Sequence, residues 1–223
     1  MLLTSHTWRS IPTGGTVLVP VGSIEQHGPH LPLDTDTVIA TTVCHQLAEL
    51  VGATAAPAVA YGASGEHQAF AGTTSIGTQA LATTLIELGR SLHEWAARVC
   101  FINGHGGNVP ALQLAVSTLM AEGRHTHWVS CSVTGADAHA GHTETSLMLH
   151  LAPHRVRMSN AEPGNTGRLQ DLLPSMKTAG VAAVSPNGVL GNPLTATAEA
   201  GQQILTDMVH TAAKQLTCEV SGG

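Results

Sequence analysis

A polar loop at residues 22–36, with the sequence GSIEQHGPHLPLDTD, carries side chains whose types and spacing suit metal chemistry. It follows the apolar run 17–21, which predicts a buried strand. In extended backbone, residues two apart point to the same side, so Glu25 and His27 aim at one point. Asp36 follows where an apolar helical pattern begins. Because Zn, Mn and Fe(II) accept Glu, His and Asp as ligands, the loop predicts three ligands of a metal centre.

The same loop also has a purely structural interpretation, in which Asp34 or Thr35 caps the following helix. Other polar loops favour the metal centre, because each contains histidine and lies between a predicted strand and a predicted helix. These loops are residues 61–67, 103–108 and 135–144. In open α/β sheets, ligands bind beyond the carboxyl ends of the strands. All four loops are therefore expected to converge at one edge of a sheet.

The hydrophobic pattern of the chain alternates between strand-like and helix-like segments. Strands are predicted at residues 16–21, 53–60, 98–102 and 128–133. Helices are predicted at residues 36–50, 81–95, 110–119, 145–151 and 195–216. Residues 156–193 are rich in Pro, Gly and Asn and receive no element. This alternation predicts an α/β fold with three α/β/α layers, a mainly parallel sheet and a single domain over residues 1–223.

Composition argues against several classes of partner and location. The net charge of −6 and the pI near 6.1 disfavour nucleic acid and anionic membranes as partners. No apolar run approaches the roughly 18 residues that span a bilayer, and no signal-peptide pattern is present at the N-terminus. The cysteines are far apart without a C-x-x-C pair, as expected of reduced thiols in the cytoplasm. Only 11% of the residues are charged, which favours a homo-oligomer.

The converging loops supply imidazoles and carboxylates as candidate metal ligands: Glu25, His27, Asp36, His105 and Glu144. A catalytic metal takes about three protein ligands, so this set with one bridging carboxylate suits two ions about 3.5–4 Å apart. Asp36 is the expected bridge. Such a pair generates metal-bound hydroxide at neutral pH and polarises a carbonyl, which predicts hydrolysis of an amide or cyclic amide. His139 is expected to donate a proton to the departing nitrogen, and Glu144 to be both ligand and catalytic residue.

Two of these ligands have structural alternatives. His105 would otherwise bond within its own glycine-rich turn, and Glu144 would otherwise be an acid that the helix dipole favours in a first turn. Other polar residues of the same loops are expected to bind the substrate: His30, Glu66, His67 and His142.

These motifs resemble those of the creatininase (creatinine amidohydrolase) family. The likeness is carried by the loop at 22–36, by NGHGGN at 103–108, by HAGHTETS at 139–146 and, more weakly, by GEHQAFAGT at 65–73. The resemblance implies a dinuclear-metal amidohydrolase with a parallel sheet flanked by helices, assembled as a hexamer and acting on a peptide or small amide. It implies two divalent ions (Zn, Fe(II) or Mn) and a proton-handling His139. The ligands it implies are Glu25, His27, Asp36 and His105.

The chain departs from creatininase itself at two places. Gly106 and Gly107 replace the Tyr and Glu of the sequence NGHYEN, whose Glu is a ligand, so Glu144 is expected to complete the second metal site. Gly135 and Ala136 stand where creatininase has a tryptophan that covers its flat substrate. Creatinine is therefore not the expected substrate.

Among the subfamilies, the segment 137–146 and the short length are most similar to the mycofactocin-system peptidases. That resemblance implies hydrolysis of a radical-modified precursor peptide near its C-terminus, which releases the Val-Tyr-derived core. Two alternatives stay open. One is a formamidopyrimidine deformylase or other cyclic-amide hydrolase with the same metal centre, and the other is a non-catalytic metal-binding scaffold.

Overall fold

The computed structural model describes residues 1–220 and contains a four-stranded sheet in which every pairing is parallel. The strands are β1 (Thr16–Val21), β2 (Thr54–Ala55), β3 (Arg98–Asn103) and β4 (Thr126–Ser130), in the spatial order β2-β1-β3-β4. Val21 pairs with Asn103, and Asn103 pairs with Ser130. The carboxyl ends of the three longer strands therefore lie level with one another at a single edge.

The described residues contain six α-helices, and all of them except the fifth pack on the two faces of this sheet. They are α1 (Thr35–Val51), α2 (Thr78–Leu92), α3 (Val109–Ala121), α4 (His142–Leu151), α5 (Leu169–Ala179) and α6 (Ala198–Val220). On one face, Leu18 and Ile102 belong to a core with residues of α1, α4 and α6. On the other face, Val19 and Phe101 belong to a core with residues of α2 and α3. Successive strand residues thus serve opposite cores, and the predicted three-layer α/β/α architecture is confirmed.

Several predicted element boundaries were wrong. The strand predicted at 53–60 contains only Thr54–Ala55, because Pro57 has no N–H for the ladder and Val59 forms just an isolated bridge with Val21. The fourth strand begins and ends earlier than 128–133. Helix α4 begins at His142 rather than 145, and α2 ends at Leu92, before Trp95. Sequence periodicity locates such elements better than their ends.

Helix α5, Leu169–Ala179, lies inside the segment for which no element was predicted. Pro174 in its interior is a signal against a helix, and none of its residues is buried. The helix packs mainly against the short 3-10 turns Val181–Ala183 and Gly65–His67. It therefore depends on loop contacts rather than on the main core, which explains why core periodicity did not reveal it.

Cys44 and Cys131 are free thiols, and the side chain of Cys218 lies outside the described residues. Within residues 1–220, no helix combines the length and the apolar character that crossing a bilayer requires.

Candidate metal centre

The carboxyl edge of the sheet brings the predicted ligands together from four segments. Glu25 and His27 lie in the loop after β1, and Asp36 lies in the first turn of α1. His105 follows β3, and Glu144 lies in the first turn of α4. All except Glu144 are buried, and Glu144 keeps only a fifth of its side chain exposed.

Two glycines let these segments approach closely. A Cβ atom at Gly104 would lie 2.5 Å from the main-chain oxygen of Asp36, and one at Gly22 would lie 2.5 Å from the Cα atom of Thr37. Real Cβ atoms do not approach backbone so closely, so a larger residue at either position would push α1 away. The glycines therefore hold Asp36 against the segment that carries His105.

Asp36 lies at the middle of the cluster. Its Oδ1 atom is 3.0 Å from His27 Nε2, its Oδ2 atom is 3.4 Å from His105 Nδ1, and Ser23 Oγ donates to Oδ2 at 2.6 Å. Ligand atoms of Glu25, Asp36 and His105 form one group within 4.8 Å, and those of His27, Asp36 and Glu144 form another. Because Asp36 belongs to both groups, its carboxylate has the position that a bridge between two ions requires.

Glu25 gives a direct test of whether the cluster fits cations. Its Oε1 and Oε2 atoms are fully buried, and neither has a hydrogen-bond partner within the described part of the chain. Buried carboxylate oxygens without hydrogen bonds destabilise the fold, whereas a bound divalent cation would satisfy the lone pairs of these oxygens and balance their charge. Another candidate ligand atom, His105 Nε2, lies 3.1 Å from Glu25 Oε2. The donor set and its unmet bonding capacity therefore fit a metal ion.

The charges of the cluster shift its pKa values strongly. Burial is the main cause that raises the pKa of Glu25 to about 7 and that of Glu144 to about 7. Burial also acts to lower the pKa of His27, but Asp36 and Glu144 outweigh it and raise that pKa to about 10. Against burial, Glu25 and Glu66 raise the pKa of His105 to about 9. In the metal-free protein, the positive charges of the His27 and His105 rings thus balance the carboxylates, as bound cations would.

The pKa of Asp36 is lowered, in contrast to the raised pKa values of Glu25 and Glu144. Burial favours its protonated form, but the neighbouring charge of His27 and the hydrogen bond between them hold its pKa well below the usual range. The central carboxylate therefore stays ionised, as a metal-bridging group must.

The ring of His139 lies against two other imidazoles, each of which is tilted relative to it. Its ring centroid lies 4.4 Å from that of His27 and 4.5 Å from that of His67. Its Nδ1 atom is 3.7 Å from Glu25 Oε1 and 3.9 Å from Glu144 Oε2. Burial, reinforced by the charge of His27, lowers the pKa of His139 well below its ordinary value, so the ring is neutral at neutral pH. A neutral imidazole beside the cluster can carry a proton between reacting groups.

A cavity of about 1030 Å³ opens beside the cluster. Its walls include Asp36, His105, His139 and Glu144, together with the predicted substrate-binding residues Glu66 and His67. Glu66 Oε1 lies 3.4 Å from His105 Nε2, and His67 Nε2 lies 3.3 Å from Glu25 Oε1. Both residues therefore adjoin the candidate ligands as well as the cavity.

The other two predicted substrate-binding residues do not line this cavity. His30 is 1% exposed, does not line this cavity, and has its Nε2 atom 2.8 Å from Thr145 Oγ1. His142 lines a smaller neighbouring cavity of about 640 Å³, and its Nδ1 atom is 2.9 Å from Thr195 Oγ1. The ring of His30 thus contacts helix α4 at Thr145, whereas the ring of His142 contacts Thr195.

Asp137 was not among the residues singled out from the sequence. Its carboxylate accepts hydrogen bonds from the backbone N–H groups of His142 and of Thr143, the latter at 3.0 Å. It therefore caps the first turn of α4, and Ala140 N donates to Glu144 Oε2 at 2.6 Å in the same turn. A Cβ atom at Gly141 would overlap Asp137 Oδ2. An Asp shortly before a helix start, followed by a glycine, was the available sequence signal.

Comparison with known proteins agrees with this arrangement. Over 206 residues the chain is 56% identical to "Mycofactocin precursor peptide peptidase" of Mycolicibacterium smegmatis (strain ATCC 700084 / mc(2)155), covering 90% of this chain and 83% of the relative. A protein of the same name from Mycobacterium tuberculosis (strain CDC 1551 / Oshkosh) is 52% identical, with 96% and 90% covered. The solved structure "Creatininase Mn" superposes with a TM-score of 0.79 at 28% identity, covering 98% of both chains.

The family described as "Creatininase: Creatinine amidohydrolase" matches residues 3–216. That span contains all four loops of the candidate metal centre and nearly the whole described chain. The chain therefore belongs to the creatininase family.

Proposed function

We propose that this chain is a dinuclear-metal peptidase that hydrolyses an amide bond of the modified mycofactocin precursor peptide near its C-terminus. The observation that carries the proposal is the pair of ligand groups that share Asp36 beside the large cavity. The names of relatives that are more than half identical over most of the chain support the choice of substrate.

The ligand groups suggest how the ions would be held. Glu25, Asp36 and His105 would hold one, and His27, Asp36 and Glu144 would hold the other. When bound, a pair of Zn, Mn or Fe(II) ions lowers the pKa of water towards about 7 and polarises an amide carbonyl. In this arrangement Glu144 takes the place of the ligand that Gly107 cannot supply.

The roles of the other residues follow from their surroundings. The neutral ring of His139 accepts the proton of the attacking water and delivers it to the departing nitrogen. Ser23, whose hydroxyl donates to Asp36 Oδ2 at 2.6 Å, holds the central carboxylate in place. Glu66 and His67 line the cavity beside the ligands and contact the substrate. The amide is split into a carboxylic acid and an amine, with the elements of water divided between them.

The cavity favours a peptide over a small ring. Its volume of about 1030 Å³ is at the top of the range for small-molecule sites. One wall is helix α5, where Leu169, Leu173 and Met176 line the cavity at the i, i+4, i+7 spacing of one helix face. Leu169 is 42% exposed and Leu173 is 37% exposed. A peptide with apolar side chains would bury this face, whereas a flat polar amide would not.

The decisive experiment is incubation of the purified protein with the modified precursor peptide. Metal analysis should give about two ions per chain, and mass spectrometry should detect the released C-terminal fragment. Glu144→Gln should abolish release without unfolding the protein, while Glu94→Gln on an exposed surface should behave as wild type. Full metal loading without hydrolysis of any amide would instead favour the non-catalytic scaffold.

We also propose that the protein works as a homo-oligomer in the cytoplasm. The low fraction of charged residues, 11%, supports extensive subunit contacts, and the family resemblance implies a hexamer. The free thiols of Cys44 and Cys131 support a reducing compartment. Light scattering of the purified protein measures the assembly mass, and a monomer would contradict the first of these proposals.

A further inference from the structure

Gln26 lies between two candidate ligands in sequence, yet its side chain turns away from them into a crowded pocket. Gln26 is only 5% exposed. Its Oε1 atom accepts from Gly28 N at 2.8 Å, and its Nε2 atom is 3.0 Å from Gly188 O. Gly188 has φ of +80°, and a Cβ atom there would lie 1.9 Å from Gln26 Oε1. The backbone at Gly188 therefore closes tightly over the Gln26 amide.

These two backbone contacts determine which way the amide points. A backbone N–H can only donate, so the atom facing Gly28 N must be the amide oxygen. A backbone carbonyl can only accept, so the atom facing Gly188 O must be the amide nitrogen. Of the two amide protons, one is used by Gly188 O, and a single proton remains for a further acceptor.

Two histidine nitrogens lie within reach of that remaining proton. His67 Nδ1 is 2.9 Å from Gln26 Nε2, and His139 Nε2 is 3.0 Å from it. His139 Nε2 is also 2.8 Å from the main-chain oxygen of Gln26, which can only accept. His139 Nε2 must therefore carry a proton and donate it to that oxygen. The amide proton consequently goes to His67 Nδ1, which carries none.

We propose that Gln26 is a positioning residue that decides which ring nitrogen bears the proton in both His139 and His67. Its main-chain oxygen holds His139 with the proton on Nε2, and its side-chain amide holds neutral His67 with the proton on Nε2. His139 therefore presents an unprotonated Nδ1 towards Glu25 and Glu144. The N–H of His67 lies on Nε2, 3.3 Å from Glu25 Oε1, although no hydrogen bond joins the two atoms. One unprotonated nitrogen and one N–H thus lie beside the cluster on adjacent, mutually tilted rings.

The catalytic consequence rests on the proposed function. His139 can take a proton from water only through an unprotonated nitrogen, and its Nδ1 is the nitrogen near the cluster. That proton then moves from Nδ1 to the nitrogen of the breaking C–N bond. The other proton stays on Nε2 throughout, hydrogen-bonded to the main-chain oxygen of Gln26. His67 meanwhile keeps an N–H, rather than an unprotonated nitrogen, beside a ligand carboxylate. The assignment of protons itself does not depend on any substrate.

Neutron diffraction from deuterium-exchanged crystals of the Zn-loaded protein tests the assignment directly. Deuterons are expected on Nε2 of both His67 and His139 and on neither Nδ1 atom. A deuteron on Nδ1 of either ring would overturn the proposal. Because this measurement uses the wild-type protein and needs no turnover, it stands even if the proposed peptidase activity is not found.

A variant separates the side-chain effect from the main-chain effect. Gln26→Met removes the amide donor without adding charge, so His67 should gain a deuteron on Nδ1, while His139 keeps its own on Nε2. The kcat for peptide hydrolysis should fall about 10–100-fold at nearly unchanged KM, with about two ions still bound. Gln113→Met, at an exposed site of α3, is the matched control and should leave kcat unchanged. A folded Gln26→Met protein with wild-type deuteration and kcat would refute the role of the side chain.

Discussion

Metal loading of this protein is expected to release protons, in a number that depends on pH. In the metal-free protein the pKa of His27 is raised to about 10 and that of His105 to about 9, so both rings are protonated at pH 8. Both must be neutral to bind a cation. Loading at pH 8 should therefore displace about two protons from these imidazoles, and near pH 6 Glu25 and Glu144, with pKa values of about 7, should add to that number.

The proton count sets the pH dependence of affinity. If about two protons leave, the apparent affinity for the ion pair should rise roughly 100-fold per pH unit between pH 7 and pH 9. Titration calorimetry of the metal-free protein with Zn²⁺, repeated in buffers of different ionisation enthalpy, measures the proton number at each pH. The double variant His27→Gln with His105→Gln is the control, because it lacks both rings. Loading at pH 8 without proton release would refute this account of the electrostatics.

Further predictions concern stability, positioning and the cavity wall. The metal-free protein should melt at progressively lower temperature from about pH 7 to pH 9, since the raised pKa values of His27 and His105 mean that the native state binds more protons there. Near pH 6 the lowered pKa values of His30, His67 and His139 oppose this trend, and saturating Zn²⁺ should remove most of it in calorimetric scans. Gly104→Ala should lower the free energy of unfolding by about 1–3 kcal/mol in chemical denaturation and lower the metal content, because its Cβ atom would clash with the main-chain oxygen of Asp36. Unchanged stability and metal content would contradict the close packing. Asp137→Ala should reduce metal affinity about 10–100-fold by freeing the first turn of α4, as equilibrium dialysis would measure, and wild-type affinity would argue against its role. Leu173→Ser should raise KM for a peptide while the free energy of unfolding changes by less than about 0.5 kcal/mol; loss of stability instead would mean that α5 is structural.

The positions of the ligand-bearing loops were predictable because a parallel sheet imposes one direction on its strands. Once β1 and β3 are recognised as buried strands, the residues after them must lie at the same edge. Glu25, His27 and His105 are within a few residues of those strand ends, and their types restrict the chemistry. The structure places these residues and Asp36 in groups whose possible ligand atoms lie within 4.8 Å of one another, and His139 joins Glu25 and His27 in one such group.

His30 and His67 illustrate what the sequence left open. Both lie in glycine-containing polar loops and both were expected to bind the substrate. His30 instead forms a hydrogen bond with Thr145, which lies more than a hundred residues away in sequence. Gln26 is a second example, since its bonds reach Gly188 and two distant histidines. Contacts between residues so far apart along the chain leave no local sequence pattern from which they could be predicted.

The sequence by itself determined the α/β class, the edge of the sheet that carries the site and the residue types available for metals, because strand periodicity and donor chemistry are local properties. Only the tertiary structure decided that Asp137 caps the turn carrying Glu144, that α5 forms one wall of the cavity and that Gln26 faces His67 and His139. These features arise where loops from distant parts of the chain pack together, and they depend on close approaches at Gly141 and Gly188 that spacing along the chain does not encode.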